Sequence, residues 1–109
     1  MLEVAVVAVA VLILVSMSIK ADRKLANQPS LPMQWALNGA VNWFAPRRIA
    51  LAITPLLATV CMAAALTSNI VWPDEDGRLA IVLVAVAFIA VHAFHLWLID
   101  RWRRAGGRD

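Results

Sequence analysis

The stretch IALAITPLLATVCMAAALTSNIVW, residues 49–72, decides the fold of this chain. It holds no charged residue, and a helix needs roughly 20 mostly apolar residues to cross a hydrocarbon core about 30 Å thick. Residues 2–19 and 79–99 form two similar apolar runs. Glu3 is the only charged residue in 2–19, and His92 and His95 are the only ionisable residues in 79–99. The sequence therefore predicts an all-α integral membrane protein with three transmembrane helices, at about 2–19, 49–72 and 79–99.

The overall composition supports this class. Hydrophobic residues make up 62% of the chain and charged residues 16%, with a mean hydropathy of +0.76. A soluble domain is about 45–50% apolar. The net charge of +3 comes from basic clusters beside the apolar runs, which fits membrane topology better than nucleic-acid binding. We expect the lipid bilayer as a partner and no nucleic acid.

The chain reads as one membrane domain over 1–109, with a polar motif loop at 20–48 and a basic tail at 100–109. Pro55 lies about two turns into the second run, where it removes one backbone hydrogen bond and is expected to kink the helix. Only a short segment, residues 73–78, separates the last two runs, so these helices should form an antiparallel hairpin. We expect no β-strands, because the runs lack the alternation of membrane strands.

The first run has two readings, a signal peptide or a retained helix. The chain opens Met1-Leu2-Glu3 without a positive charge, and no clean small-x-small cleavage site follows the run. Both features are atypical of a signal peptide. We therefore expect a retained helix.

The basic residues predict the orientation, because Lys and Arg concentrate in cytoplasmic segments. With three spans, the motif loop and the C-terminal tail lie on the same side. The short segment between the last two helices has one basic residue among three acids. The N-terminus should thus face outside and the C-terminus the cytoplasm. The basic residues of the loop and tail are Lys20, Arg23, Lys24, Arg47, Arg48, Arg101, Arg103, Arg104 and Arg108.

Small and polar residues recur on two helices at spacings that let helices approach closely in lipid. These residues have two interpretations. In the first, one face serves contacts within the bundle and the other face contacts with a partner or a second copy. In the second, the pattern arises by chance in an alanine-rich chain. The candidate packing residues are Thr54, Ala58, Cys61, Ala65 and Asn69 on the second helix and Ala80, Ala87 and Ala90 on the third.

His92 and His95 are three residues apart and project from nearly the same side of the third helix. An ionisable residue within a membrane is a functional hypothesis by default, and histidine binds haem or metals or relays protons. Further ligands would have to come from Met17, Cys61, Met62 or another chain. The simpler interpretation is that both rings hydrogen-bond to a neighbouring helix or tilt toward the headgroups, so we expect no metal and no cofactor.

The motif loop is too polar and too rich in proline to span a membrane, and Gly39 fits a turn with positive φ. Its candidate recognition residues are Pro32, Gln34, Trp35, Asn38, Gly39, Asn42 and Trp43.

Residues 28–57 resemble the signature of a bacterial membrane domain found at the start of SdpI-type toxin-immunity proteins. Leu31-Pro32-Met33, Trp35, Gly39, Trp43, Arg47 and Pro55 fit that pattern. Gln34 and Asn42 depart from it, because the family usually has histidine and aspartate there. The resemblance implies a multi-pass protein of the bacterial inner membrane. It also implies that the loop lies outside, whereas the charges of this chain predict that it lies inside.

No nucleophile with a neighbouring base and no phosphate-binding glycine loop is apparent. We therefore expect a non-catalytic membrane protein, not an enzyme, that acts through helix and loop contacts with a membrane-protein partner or a second copy. It would be an accessory subunit or an immunity- or sensor-like protein. The alternative is a haem-, metal- or proton-handling subunit that uses His92 and His95.

Overall fold

The computed structural model describes residues 2–106, with Glu75 described by its backbone alone. Arg108 of the predicted tail lies outside the described residues. The elements follow in the order α1 (Leu2–Lys24), β1 (Ser30–Trp35), β2 (Val41–Pro46), α2 (Arg47–Val71) and α3 (Glu75–Arg104). The three helices are each long and apolar enough to cross a membrane. The predicted number and order of the helices are confirmed.

The expectation of an all-α fold is wrong for the motif loop, which forms an antiparallel β-hairpin. Ser30 pairs with Pro46 and Trp35 with Val41, with two register shifts between these pairs. The alternation of apolar and polar residues marks strands that cross lipid. This hairpin lies outside the apolar runs, where two short strands can satisfy each other's backbone groups across a tight turn.

The helices extend beyond the predicted spans at most of their ends. Hydropathy marks only the part of a helix that suits lipid, whereas the backbone ladder continues until a cap or a turn stops it. Helix α1 ends in Arg23 and Lys24 and α3 in basic residues, which interact favourably with the negative end of a helix dipole. At the start of α3, the Asp74 carboxylate accepts a hydrogen bond from the backbone N–H of Asp76 at 3.1 Å.

Each helix contacts the other two, and small residues lie where the three meet. Ala10 of α1, Ala58 of α2 and Ala85 of α3 are buried in one cluster, together with Leu14 and Met62. Alanine lets helix backbones approach closely, which favours packing in lipid. Close van der Waals contact therefore holds the three helices together at this cluster.

Most of the helical surface faces outward. Only 11%, 28% and 17% of the most apolar windows of α1, α2 and α3 are buried within the chain. Large side chains such as Leu12, Leu56 and Phe94 are more than half exposed. This surface is consistent with contact with a lipid bilayer.

Ion pairs join the helices at both ends of the bundle. Arg78 at the start of α3 lies 2.8 Å from the Glu3 carboxylate of α1. At the opposite end, Asp100 of α3 lies 3.1 Å from Lys24 of α1 and also pairs with Arg103 and Arg104. These pairs link α3 to α1 at both ends of the bundle.

The hairpin turn supports a first prediction. Gly39 has φ +88°, as the sequence predicted, and an added Cβ would meet no atom within 4 Å. Gly39→Ala should therefore cost only backbone strain, about 1–2 kcal/mol. The measurement is the free energy of unfolding in detergent, followed by circular dichroism.

Gly39→Asn is the matched control, because asparagine adopts positive φ more readily than alanine. It should be less destabilised than the alanine variant. Equal stability of the alanine variant and the natural protein would contradict the turn geometry.

Candidate functional site

The polar centre of the bundle begins at Pro55. Proline has no N–H, so the carbonyl of Leu51, four residues earlier, loses its helical partner. The Ser18 hydroxyl of α1 donates a hydrogen bond to that carbonyl at 2.7 Å. A serine of a neighbouring helix thus satisfies the acceptor that proline leaves open, which lipid could not do.

His92 of α3 completes this contact. Its Nε2 lies 2.8 Å from the Ser18 oxygen, and its side chain is fully buried. The single hydroxyl proton of Ser18 points to Leu51, so the serine oxygen accepts and His92 Nε2–H donates. In the neutral ring, this places the proton on Nε2 and leaves Nδ1 as the acceptor. We call Ser18, the Leu51 carbonyl and His92 the three-helix tie.

The tautomer leaves one atom without a partner. His92 Nδ1 is an unprotonated acceptor, and it is buried without a hydrogen-bond partner among the described residues. A buried acceptor without a partner costs free energy. The tie therefore fixes three helices while it leaves one basic nitrogen unused.

His95 has a different role, although it lies one turn from His92. Its Nε2 is 3.2 Å from the Pro32 carbonyl, which can only accept, so the ring donates. The ring also meets Trp35 edge-on, with centroids 6.0 Å apart. His92 thus holds the helices together, and His95 holds the β-hairpin onto α3. The His92 contact agrees with the simpler interpretation of the histidine pair, a hydrogen bond to a neighbouring helix, whereas His95 bonds to a strand of the hairpin.

The inner face of the hairpin packs on the basic end of the bundle. Leu31 and Ala45 are buried there with Leu51 and Ile99, and Phe44 meets the Trp102 ring at 5.7 Å. These contacts attach the hairpin to α2 and α3.

Arg47 closes the base of the hairpin. Its Nε donates to the Asp22 carboxylate at 2.7 Å, and its Nη1 donates to the carbonyls of Ala26 and Gln28 at 3.0 Å. A guanidinium group presents several donors in a fixed plane. Arg47 therefore orients the segment between α1 and β1 against the start of α2.

The outer face of the hairpin is free within the described chain. The Trp43 indole N–H donates to Gln34 Oε1 at 3.2 Å across the strands, and both residues are exposed. Asn42 is exposed beside them, and Leu37 at the turn is fully exposed. Of the predicted motif residues, Pro32 and Trp35 face the bundle, whereas Gln34, Asn42 and Trp43 form an outer surface. We call Gln34, Leu37, Asn42 and Trp43 the hairpin surface.

Asn38 and Gly39 shape the turn instead of presenting a contact surface. The Asn38 Oδ1 accepts from the backbone N–H of Ala40 at 3.0 Å, and Gly39 N–H donates to the Ala36 carbonyl at 2.9 Å. Both residues act locally.

The predicted packing residues divide into inward and outward sets. Ala58 is buried, Thr54, Ala65 and Asn69 are partly buried, and Cys61 is exposed. On α3 the predicted alanines point away from the other helices: Ala80, Ala87 and Ala90 are all exposed. Asn69 accepts from the backbone N–H of Asp74 at 3.3 Å, across the turn that joins α2 to α3.

Within the part of the chain that the structure describes, no set of metal ligands surrounds the histidines. Among residues 2–106, no group of three or more His, Cys, Asp or Glu side chains lies close enough to hold a metal ion. Cys61 is exposed on α2, whereas Met62 is buried in the central cluster and Met17 is partly buried.

Sequence reasoning missed Ser18 and the pairing of Asp22 with Arg47. A signal for the first was present, because Pro55 requires some donor for the carbonyl of Leu51, and donors in an apolar run are few. Nothing local indicated which helix would supply it.

No protein-family model matches the sequence, and no curated protein or solved structure matches it either.

The three-helix tie supports a second prediction. Ser18→Ala should lower the free energy of unfolding by about 1 kcal/mol, typical of an interhelical hydrogen bond in a membrane protein. Pro55→Ala supplies an N–H for Leu51, so the serine substitution should cost less in that background. The measurement is a double-mutant cycle from unfolding in mixed micelles.

Ser16→Ala is the matched control, because Ser16 lies on the same helix and is exposed. It should change the stability little in either background. Equal costs of Ser18→Ala with and without Pro55 would contradict the link between the proline and the serine.

Proposed function

We propose that this chain is a non-catalytic membrane protein that works by contacts, as an accessory subunit of a membrane complex or as an immunity- or sensor-like protein. The hairpin surface is the observation that carries the proposal. One face of the hairpin is anchored by His95, Arg47 and the Phe44–Trp102 contact, and the other is free. An anchored element with a free aromatic and amide surface is suited to recognition.

The composition of the hairpin surface supports a protein partner. Tryptophan is enriched in protein interfaces, where it combines large apolar area with a hydrogen-bond donor. Trp43 is 48% exposed although its indole N–H is already directed to Gln34. This contact favours one orientation of the ring, which reduces the entropy lost on binding.

A second surface for contact is the outward alanine face of α3. Ala80, Ala87 and Ala90 are exposed to the lipid side of the bundle. A helix of a partner or of a second copy could approach closely along them. The resemblance to SdpI-type immunity proteins remains part of this proposal, and it supports an immunity-like role over that of an accessory subunit.

The histidines favour this role over haem, metal or proton handling. Both rings use Nε2 to bond to this chain itself, and no group of three or more His, Cys, Asp or Glu side chains forms around them among the described residues. Their contacts are those of residues that hold a fold together.

The third prediction tests the hairpin surface. A photo-crosslinking amino acid at position 37 or 42 should capture a partner in native membranes, because both side chains are exposed. The control is position 12, since Leu12 is 66% exposed on α1, far from the hairpin. Mass spectrometry of the crosslinked band identifies the partner.

The outcome separates the versions of the proposal. A stoichiometric larger membrane protein makes this chain an accessory subunit, and a toxin-like peptide makes it an immunity protein. Crosslinks at position 12 alone, or none at 37 and 42 in membranes that contain all native components, would contradict a recognition role for the hairpin.

The fourth prediction concerns orientation in a bacterial inner membrane. We propose that the hairpin end faces the cytoplasm, because the basic clusters lie there. In a Cys61→Ala background, Asn27→Cys should react with a membrane-impermeant thiol reagent only in inside-out vesicles. Pro73→Cys should react only in right-side-out vesicles, and the reverse pattern would support the outside location that the family resemblance implies.

A further inference from the structure

A groove runs between α1 and α2 on the outside of the bundle. It has a volume of about 490 Å³, within the roughly 300–1,000 Å³ of ligand-binding clefts. Its walls are mainly apolar, and it ends at two basic side chains. The residues that define it are Val15, Ile19 and Arg23 on α1 and Arg48, Ala52 and Leu56 on α2.

The length of the groove matches one leaflet of a bilayer. On α1 it extends from Arg23 to Val15, about 12 Å at 1.5 Å per residue, and on α2 from Arg48 to Thr59, about 16 Å. Half of a hydrocarbon core of about 30 Å is about 15 Å. The groove thus starts at the basic boundary and ends near the middle of the membrane.

The charge at the mouth of the groove is positive and uncompensated. Asp22 also lines the groove, but its carboxylate is paired with Arg47 at 2.7 Å. Arg23 and Arg48 are exposed, and neither makes an ion pair or side-chain hydrogen bond with the described residues. Two guanidinium groups are therefore available for an anion at this boundary.

The polar groups along the walls are already used. The Ser18 hydroxyl donates to the Leu51 carbonyl, and the Thr59 hydroxyl donates to the Pro55 carbonyl at 2.7 Å. The interior of the groove therefore offers no free donor to a polar ligand. It suits a hydrocarbon chain, whereas the mouth suits a phosphate.

We propose that this groove binds one anionic phospholipid of the leaflet on the basic side. An acyl chain lies along the groove, and the headgroup phosphate lies between Arg23 and Arg48. Arginine binds phosphate oxygens through paired N–H groups, and basic pockets between membrane helices are known to take anionic headgroups. The bound lipid packs against Ser18 and Pro55 and covers the outer side of the three-helix tie.

The test is lipid retention by the full chain, purified in mild detergent and measured by native mass spectrometry. Phosphatidylglycerol and phosphatidylcholine with identical dioleoyl chains are offered in equal amounts. Each arginine should contribute about fivefold, the factor that ~1 kcal/mol per basic residue gives. Phosphatidylglycerol should be preferred about 25-fold, and Arg23→Gln with Arg48→Gln should remove that preference.

Two controls separate a built site from general attraction. Lys20→Gln with Arg101→Gln removes the same charge near the same boundary but outside the groove, and should retain the preference. Ala52→Phe fills the groove and should reduce retention of both lipids at least tenfold. Ala64→Phe, at an exposed position of α2 outside the groove, should not.

Several results would overturn the proposal. If the natural protein retains the two lipids equally, the headgroup site is rejected without recourse to any variant. Equal loss in the Lys20–Arg101 variant means general charge attraction, and full retention by Ala52→Phe means that no chain enters the groove. A dimer that Ala52→Phe dissociates, with no lipid bound, means that a second copy occupies it. None of these variants alters the hairpin surface, so the two proposals are tested separately.

Discussion

The backbone acceptor that Pro55 leaves open is the constraint on which the arrangement of the helices depends. In lipid no water is present to satisfy the Leu51 carbonyl, so a side chain of another helix has to do so. Ser18 meets this need and then accepts from His92, so these two hydrogen bonds hold α1 and α3 in one rotation relative to the open carbonyl on α2. The alanines at the centre permit close approach, but van der Waals packing alone would tolerate other rotations.

The β-hairpin follows from the same rotation. Once His92 faces Ser18, His95 lies one turn further toward the basic end, where its Nε2 reaches the Pro32 carbonyl. Arg47 fixes the other side of the hairpin through Asp22 and two carbonyls. The polar segment is thereby held as a rigid cap on one end of the bundle, and the residues that remain exposed become a defined surface. The proposed recognition role depends on this rigidity more than on any single side chain.

The proline also shapes the outside of the bundle. It lies at the wall of the α1–α2 groove, beside the Ser18 hydroxyl, which donates to the Leu51 carbonyl, and the Thr59 hydroxyl, which donates to the carbonyl of Pro55 itself. Because these donors are used internally, the groove is apolar along its length and charged only at its mouth. The Ser18 hydrogen bond within the bundle and the groove outside it thus meet at the break that Pro55 makes in the helical hydrogen-bond ladder.

The sequence by itself determined the three helices, their order, the turn at Gly39 and the asymmetry of charge, because length, hydropathy and positive φ are local properties. It also allowed a hydrogen bond from His92 to a neighbouring helix, but it did not foresee that His95 would bond to a strand. Only the tertiary structure decided which partners these are, that the motif loop pairs into strands, and that Ala80, Ala87 and Ala90 face outward while Ala58 is buried. Those outcomes depend on the rotation and relative height of the helices, and Ser18 and Leu51, 33 residues apart, are brought together only by that packing.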